Sequence, residues 1–328
     1  MARNSQRPSV SIVGSGRLGS ALAVALVAAG YRLDAVAARR GTSARKTAKL
    51  LGGKTLHLSV NQLSQLPPSR LVIISTPDDA IGLIARKLAD LQVGKADGRI
   101  FLHTSGALSS ETLAPLAAKG FAVGSLHPLL AVTSPANGVQ SLNDAFWCVE
   151  GKRAATKVAR IIVSDLGGQS FSIKADKKPL YHAAALMVSG HVVALFDIAI
   201  EMLVNSGLTA ERARELLLPL VESNTRNLAT LDPARALTGT FARGDFSTVQ
   251  RHLLALSTSG LKDALTVYKL LGARSMVLAE KTRIQRHALK KIRKSLEAST
   301  PEDLPQRLHK RGGKLSHRVT ETRRHRRK

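Results

Sequence analysis

Ser9-Val10-Ser11-Ile12-Val13-Gly14-Ser15-Gly16-Arg17-Leu18-Gly19-Ser20-Ala21 is the stretch whose reading decides the fold. A short β-rich run, Ser9 to Val13, leads directly into a G-x-G-x-x-G loop. An Ala/Leu/Val-rich helix follows and ends near Gly30, and a second strand, Leu33 to Ala37, comes at once. This is a strand–loop–helix–strand unit of about thirty residues, the βαβ crossover. Glycines in that context have separate duties. Gly14 allows the tight turn, Gly16 lets a pyrophosphate approach the backbone, and Gly19 lets helix and strand pack closely. The helix N-terminus then offers free N–H groups to the anion.

Reading outward, the same alternation continues. Strands are predicted near Leu56–Leu58, Leu71–Ser75, Arg99–His103, Phe121–Ser125, Phe146–Val149 and Ser170–Ile173, with helices at Glu111–Lys119 and Ala154–Leu166. Asp78 or Asp79 is placed to cap a helix beginning near Ala80. Strands alternating with helices predict an α/β domain, a doubly wound, mostly parallel sheet of the Rossmann type. After Lys174 the pattern changes. A long buried helix is predicted from Pro179 to about Asn205, then helices over Ala210–Leu231, Ser247–Ser257 and Leu261 to about Leu296. A capping box is read at Ser247-Thr248-Val249-Gln250. The predicted division is a Rossmann domain over 1–175, an all-α C-terminal domain over 176–298 that completes an active-site cleft, and a basic disordered tail over 299–328.

Composition bounds the remaining choices. Hydrophobic residues make up 44% of the 328, enough for a packed core, whereas aromatics reach only 3%. The lone Cys148 cannot form an internal disulfide and fits a reducing compartment. The apolar stretch Ala183–Val204 is interrupted by His191, Asp197 and Glu201, so it reads as a soluble helix, and a cytoplasmic protein is expected. Net charge is +26; from Lys281 to Lys328 there are 17 Lys/Arg against 4 Asp/Glu. A tail so basic and so poor in apolar residues is expected to stay unfolded and to contact nucleic acid or another polyanion weakly.

The residues that carry chemistry cluster at predicted strand ends. At the end of the second strand, Ala37-Ala38-Arg39-Arg40 offers no carboxylate for a ribose 2′-hydroxyl, while two arginines suit the 2′-phosphate of NADP. The cofactor contacts expected are Gly14, Ser15, Gly16, Arg17, Leu18, Gly19, Arg39, Arg40, Thr76, Pro77 and Ser105. His103 and His127 both end strands facing the crevice where open α/β sheets bind ligands. A neutral imidazole there can exchange a proton with a carbonyl, imine or hydroxyl. Ser105 and Gly106 offer a hydroxyl and an open backbone N–H. Lys178, Tyr181 and His182 lie one turn apart at a helix start. The catalytic candidates are therefore His127, Ser105, Lys178 and His182. No His/Cys/Asp cluster has metal-ligand spacing, and no metal is expected.

Taken together, these motifs resemble a known family. Gly14 to Ala21, Thr76-Pro77-Asp78-Asp79-Ala80-Ile81, His103-Thr104-Ser105-Gly106-Ala107, Ser125-Leu126-His127-Pro128-Leu129 and Tyr181-His182-Ala183-Ala184-Ala185 occur in order, followed by Ala236-Leu237-Thr238-Gly239 and Ala242-Arg243-Gly244-Asp245. Over about residues 8–280 the chain is similar to bacterial Rossmann-like proteins with a C-terminal domain of unknown function 2520. That family is related to 6-phosphogluconate, β-hydroxyacid and prephenate dehydrogenases and to pyrroline-5-carboxylate reductase. The resemblance implies an NADP-dependent oxidoreductase, dimeric through its helical domain, acting on a small anionic carbonyl, imine or hydroxyl compound. The chain departs from the pattern at Thr240, where proline is frequent, and near Ser189-Gly190, where relatives place asparagine. It also lacks the G-x-x-G-x-G…K pattern of the β-hydroxyacid dehydrogenases. A second class of function uses the same loop: a non-catalytic NADP(H)-binding sensor or scaffold whose basic tail engages a polyanion.

Overall fold

The computed structural model of the chain describes residues 7–52, 54–91, 98–282 and 286–297. The predicted tail, 299–328, lies outside the described residues. Among the described residues eight strands are formed: β1 (Val10–Val13), β2 (Leu33–Ala38), β3 (Leu56–Ser59), β4 (Leu71–Ile74), β5 (Ile100–His103), β6 (Ala122–Pro128), β7 (Phe146–Gly151) and β8 (Gln169–Phe171). Among them run α1 (Arg17–Ala28), α2 (Gly41–Leu50), α3 (Asp78–Leu91), α4 (Ala114–Ala118), α5 (Pro135–Leu142) and α6 (Arg153–Asp165). The rest is helical: α7 (Lys178–Val188), α8 (Gly190–Asn205), α9 (Ala210–Thr230), α10 (Pro233–Ala236), α11 (Gly239–Arg243), α12 (Phe246–Thr258), α13 (Lys262–Ala279) and α14 (Arg286–Glu297).

The strands form one sheet in the order β3-β2-β1-β4-β5-β6-β7-β8. Every pairing is parallel except β6 with β7. Alternation along the central strands explains why these runs are apolar throughout. Leu71 and Ile73 of β4 join the core beneath α1 and α6, whereas Val72 and Ile74 join the core beneath α3. A strand covered on both faces has no polar side to show. Register fixes the business edge. Val13 is level with Ile74, Ile74 with His103, and His103 with Ser125, so β1, β4 and β5 end together. β6 runs three residues further, held there by antiparallel β7, with His127 opposite Cys148. This overshoot projects His127 beyond the common edge.

Two compact units divide the chain, residues 1–191 and 192–328. Strands cease at Phe171, and the division falls later, within the first turn of α8. In the second unit α12, α13 and α14 enclose a core of Val249, Leu253, Met276, Leu289 and Ile292.

Several expectations need correction. The single long helix over 179–205 is two helices, broken at Ser189 (φ −117°, ψ −87°). Nor is it buried: no residue of α8 is fully buried, and Phe196, Ile198, Ala199, Ile200, Met202 and Leu203 are only partly covered. By composition and length Ala175–Asn205 passes as a membrane span. The break at Ser189 divides it into helices of 11 and 16 residues. The helix read from Leu261 to about Leu296 stops at Ala279 and resumes as α14. Ser247 is not a cap, because α12 begins at Phe246 with Asp245 in the cap position. A capping box forms instead at Ser59 and Gln62. The helix expected over 111–119 is a 3-10 turn, Ser110–Leu113, running into the short α4.

Candidate active site

The glycine loop turns between β1 and α1 under backbone constraint. Gly14 has φ +121°, and its N–H donates to the Ala37 carbonyl at 2.7 Å. A Cβ there would lie 2.2 Å from the Ser75 carbonyl oxygen, and one at Gly19 would lie 1.9 Å from the Gly14 carbonyl oxygen. Both positions are closed to any side chain. Gly16 differs, since nothing comes within 4 Å of its missing Cβ. The open space lies where α1 presents its first unpaired amides. Beside it, the hydroxyls of Ser15 and Thr76 are buried without partners. This is the arrangement a diphosphate fits: free backbone donors, orphaned hydroxyls and no side chain in the way. Arg39 and Arg40 are exposed at the end of β2. Asp34 is already engaged by Arg32 and by the Ser69 hydroxyl, at 2.8 and 2.6 Å. The strand end therefore keeps the cationic character read from its sequence.

A crevice of about 340 Å³ runs from this loop across the sheet edge. Gly16–Gly19, Ser75–Asp78, Thr104–Gly106, His127 and His182 line it. Three of the four catalytic candidates thus share one crevice with the glycine loop. His127 places Nδ1 2.8 Å from the Tyr181 hydroxyl and meets that ring edge to face. Burial, then the charge of Lys178 and the neighbouring His182, push the His127 imidazole down to about 4, so it is neutral at pH 7. His182 lies edge-on to His127 with ring centres 5.7 Å apart, and its Nδ1 is buried with no partner. A methyl group added at Gly106 would lie 2.6 Å from that Nδ1 and 2.7 Å from His127 Nε2, so both rings close on this glycine.

Ser105 and Lys178 occupy places the sequence did not suggest. The Ser105 hydroxyl donates to the Asp78 carboxylate at 2.9 Å and accepts from the Ala107 and Leu108 N–H groups at 3.2 and 3.0 Å. Its proton and both lone pairs are engaged within the loop, and the residue lines the crevice. Lys178 is fully buried and does not line the crevice. Its Nζ donates to the Ser105 carbonyl at 3.1 Å and the Ser125 hydroxyl at 3.0 Å. His103 has both ring nitrogens engaged. Its Nδ1 accepts the Ser105 N–H at 3.2 Å, which leaves Nε2–H to donate to the Ser109 carbonyl at 3.0 Å. Burial, then Lys178, lower it to about 4.

Glu150 was not singled out from the sequence. Its carboxylate accepts the Ser110 N–H at 2.8 Å, the Ser110 hydroxyl at 2.7 Å and the Ser125 hydroxyl at 3.3 Å. Ser125 therefore stands between a buried ammonium and a carboxylate. A glutamate closing the apolar run Phe146–Val149 was the only available signal.

Comparison with known proteins adds the following. A Rossmann-like domain profile matches residues 2–128, and the profile of a domain of unknown function, DUF2520, matches residues 145–275. No curated protein matches the chain. A Bacteroides fragilis protein described as a candidate NADP oxidoreductase superposes with a TM-score of 0.65 at 22% identity, over 84% of this chain and 99% of that one. A Thermotoga maritima protein gives 0.64 at 22% identity, over 83% and 98%. A reductive aminase from Aspergillus terreus, in complex with NADPH and ethyl levulinate, gives 0.60 at 18% identity, over 87% and 98%. At such identities the likeness is one of fold.

Proposed function

The chain belongs to the Rossmann-like proteins with a C-terminal domain of unknown function 2520, and on that premise we propose that it is an NADP-dependent oxidoreductase. Its substrate is a small, anionic carbonyl, imine or hydroxyl compound. The observation that carries this reading is the convergence of the open Gly16 turn, His127 and His182 on one crevice. Two of the fold neighbours described above support it, one as an NADP oxidoreductase candidate and the other by its bound NADPH.

The amides opening α1 hold the diphosphate, with Gly16 leaving it room. Arg39 and Arg40 take the 2′-phosphate, and Thr76 and Pro77 border the path across the sheet edge. When bound, the nicotinamide supplies or accepts the hydride. His127 exchanges the proton at Nε2, the ring nitrogen Tyr181 leaves free, and His182 offers its unpartnered Nδ1 to the substrate. Ser105 keeps the loop in shape around Gly106.

The protein works in the cytoplasm as a homodimer, joined through the exposed apolar faces of α8 and α9. Its basic C-terminal stretch makes loose, salt-sensitive contacts with polyanions. Titration with NADPH and NADH tests the cofactor assignment. Losing both arginines in R39A/R40A should weaken NADPH by about 10- to 100-fold, as charged hydrogen bonds worth about 1.5–3 kcal/mol disappear, and leave NADH unchanged. His127→Ala should abolish turnover across panels of hydroxy acids, amino acids and imine precursors while NADPH still binds. If the folded protein binds neither nucleotide, the reading fails.

A further inference from the structure

The Lys178 ammonium is fully buried and grips the carbonyl of Ser105, at 3.1 Å, from the side of the protein interior. In a planar trans peptide the carbonyl and the following N–H point in opposite directions. The N–H sharing that peptide belongs to Gly106, so it is turned away from Lys178. Gly106 lines the crevice, while Lys178 does not. Among the described residues the Gly106 N–H makes no hydrogen bond, whereas the N–H groups on either side, of Ser105, Ala107 and Leu108, all have partners. Hydrogen bonds in series polarise one another. A cation on the carbonyl therefore strengthens the N–H at the other end as a donor.

We propose that Lys178 is a positioning residue, and that through the Ser105–Gly106 peptide it presents the Gly106 N–H as a donor for a substrate carboxylate or carbonyl oxygen. Beside Gly106 stand His127 Nε2 and the unpartnered Nδ1 of His182, 2.7 and 2.6 Å from where a Cβ on that residue would lie. The absence of a side chain at Gly106 keeps the approach clear. Ser125 and Glu150 complete the device from behind. Ser125 gives the ammonium a second acceptor, and Glu150 supplies the compensating negative charge one hydroxyl away. An ammonium buried without such company would be costly to keep charged. This inference deepens the oxidoreductase reading and rests on it for the substrate, but the donor itself can be observed separately.

The test uses the full-length protein labelled with carbonyl-¹³C serine and ¹⁵N glycine. The sequence holds five Ser-Gly peptides, at 15–16, 105–106, 189–190, 206–207 and 259–260, so the Gly106 amide is one of five resonances. Pyruvate, which carries both a carboxylate and a ketone, serves as the oxygen probe on protein saturated with NADP⁺. The expected result is a Gly106 amide that moves on adding pyruvate, a Lys178→Met variant whose Gly106 ¹⁵N resonance is displaced before any addition, and a pyruvate affinity at least about tenfold weaker in that variant. NADPH binding should be retained, because Lys178 touches no part of the glycine loop. A Gly106 amide unmoved by pyruvate in the wild type overturns the proposal even if Lys178→Met does not fold. Pyruvate affinity equal in the wild type and in folded Lys178→Met overturns it as well. Failure to bind NADPH or NADP⁺ would instead strike the cofactor reading, and the ¹⁵N comparison without nucleotide would still decide whether Lys178 polarises the peptide.

Discussion

The phenolic oxygen of Tyr181 and Nδ1 of His127 are 2.8 Å apart, and burial raises the phenol well above its ordinary range. The imidazole is pushed the other way, down to about 4. Both groups are neutral at pH 7, and one proton lies between them. When the phenol donates to Nδ1, Nε2 carries a hydrogen and acts as an acid; when Nδ1 donates to the phenol, Nε2 is a base. Tyr181→Phe removes this control of the tautomer and little else. It should lower turnover by about tenfold, the worth of one hydrogen bond of ~1.4 kcal/mol, with NADPH affinity unchanged. Steady-state rates beside a nucleotide titration check it, and a variant as active as the wild type excludes the relay.

The two depressed histidines also predict how stability depends on pH. His103 and His127 both titrate near 4 in the folded chain, against an ordinary value of 6.5. Between those values the unfolded chain binds protons that the folded chain refuses, so stability falls as the pH drops through the window. Each histidine contributes at most roughly 1.4 kcal/mol per pH unit there. Urea midpoints measured from pH 6.5 down to about 4.5 should show this slope, and His127→Asn should lose its share. Carboxylates titrate alike in both proteins and cancel in the comparison. Identical slopes would mean that His127 carries its charge when folded.

Gly16 and Gly19 are expected to fail in opposite ways. A side chain at Gly19 meets the Gly14 carbonyl oxygen, which is backbone and cannot move aside. Gly19→Ala should therefore destabilise the fold by about 1–3 kcal/mol or more. Gly16 has an ordinary φ of −71° and open space beyond it. Gly16→Val should fold with a nearly unchanged melting temperature and lose NADPH affinity by about a hundredfold, because its branches occupy the anion's place. Thermal melts paired with nucleotide titrations separate the two effects. Normal binding by Gly16→Val would move the diphosphate off this loop.

The sheet was readable because its rules are local. Apolar runs such as Leu71–Ile74, bounded by turn residues, leave little choice of structure, and the glycine loop fixes which strand ends matter. The site was readable only to the level of position. Lys177 and Lys178 are neighbours in sequence, yet Lys177 is exposed and paired with Asp176, while Lys178 is wholly buried. The register between a 3-10 turn, Ala175–Lys177, and α7 selects one of them, and no periodicity carries that information. Ser105 shows the same limit, because its hydroxyl is consumed by Asp78, a residue 27 positions away. The break at Ser189 had a signal in the Ser189-Gly190 pair, a place where helices kink, but the apolar run on either side reads as one continuous helix.

Exposure of the apolar helices leads to the remaining prediction. Of the 21 residues in α9 only Ala213 is buried, and none of the 16 in α8 is. Val193 is 69% exposed and Leu220 60%. Covering one such leucine is worth about 1.5–3 kcal/mol, and monomers seldom leave so many uncovered. A second copy satisfies both helices at once, since a twofold pairing covers the same faces on each partner. The wild type should therefore sediment at about twice the chain mass of 35.0 kDa at micromolar concentration. Leu216 and Leu220 lie four apart on one face of α9. The double variant L216E/L220E puts two carboxylates into the contact and should sediment as a monomer, with its sheet unit still able to bind NADPH. A wild-type monomer at that concentration would require another explanation for α8 and α9.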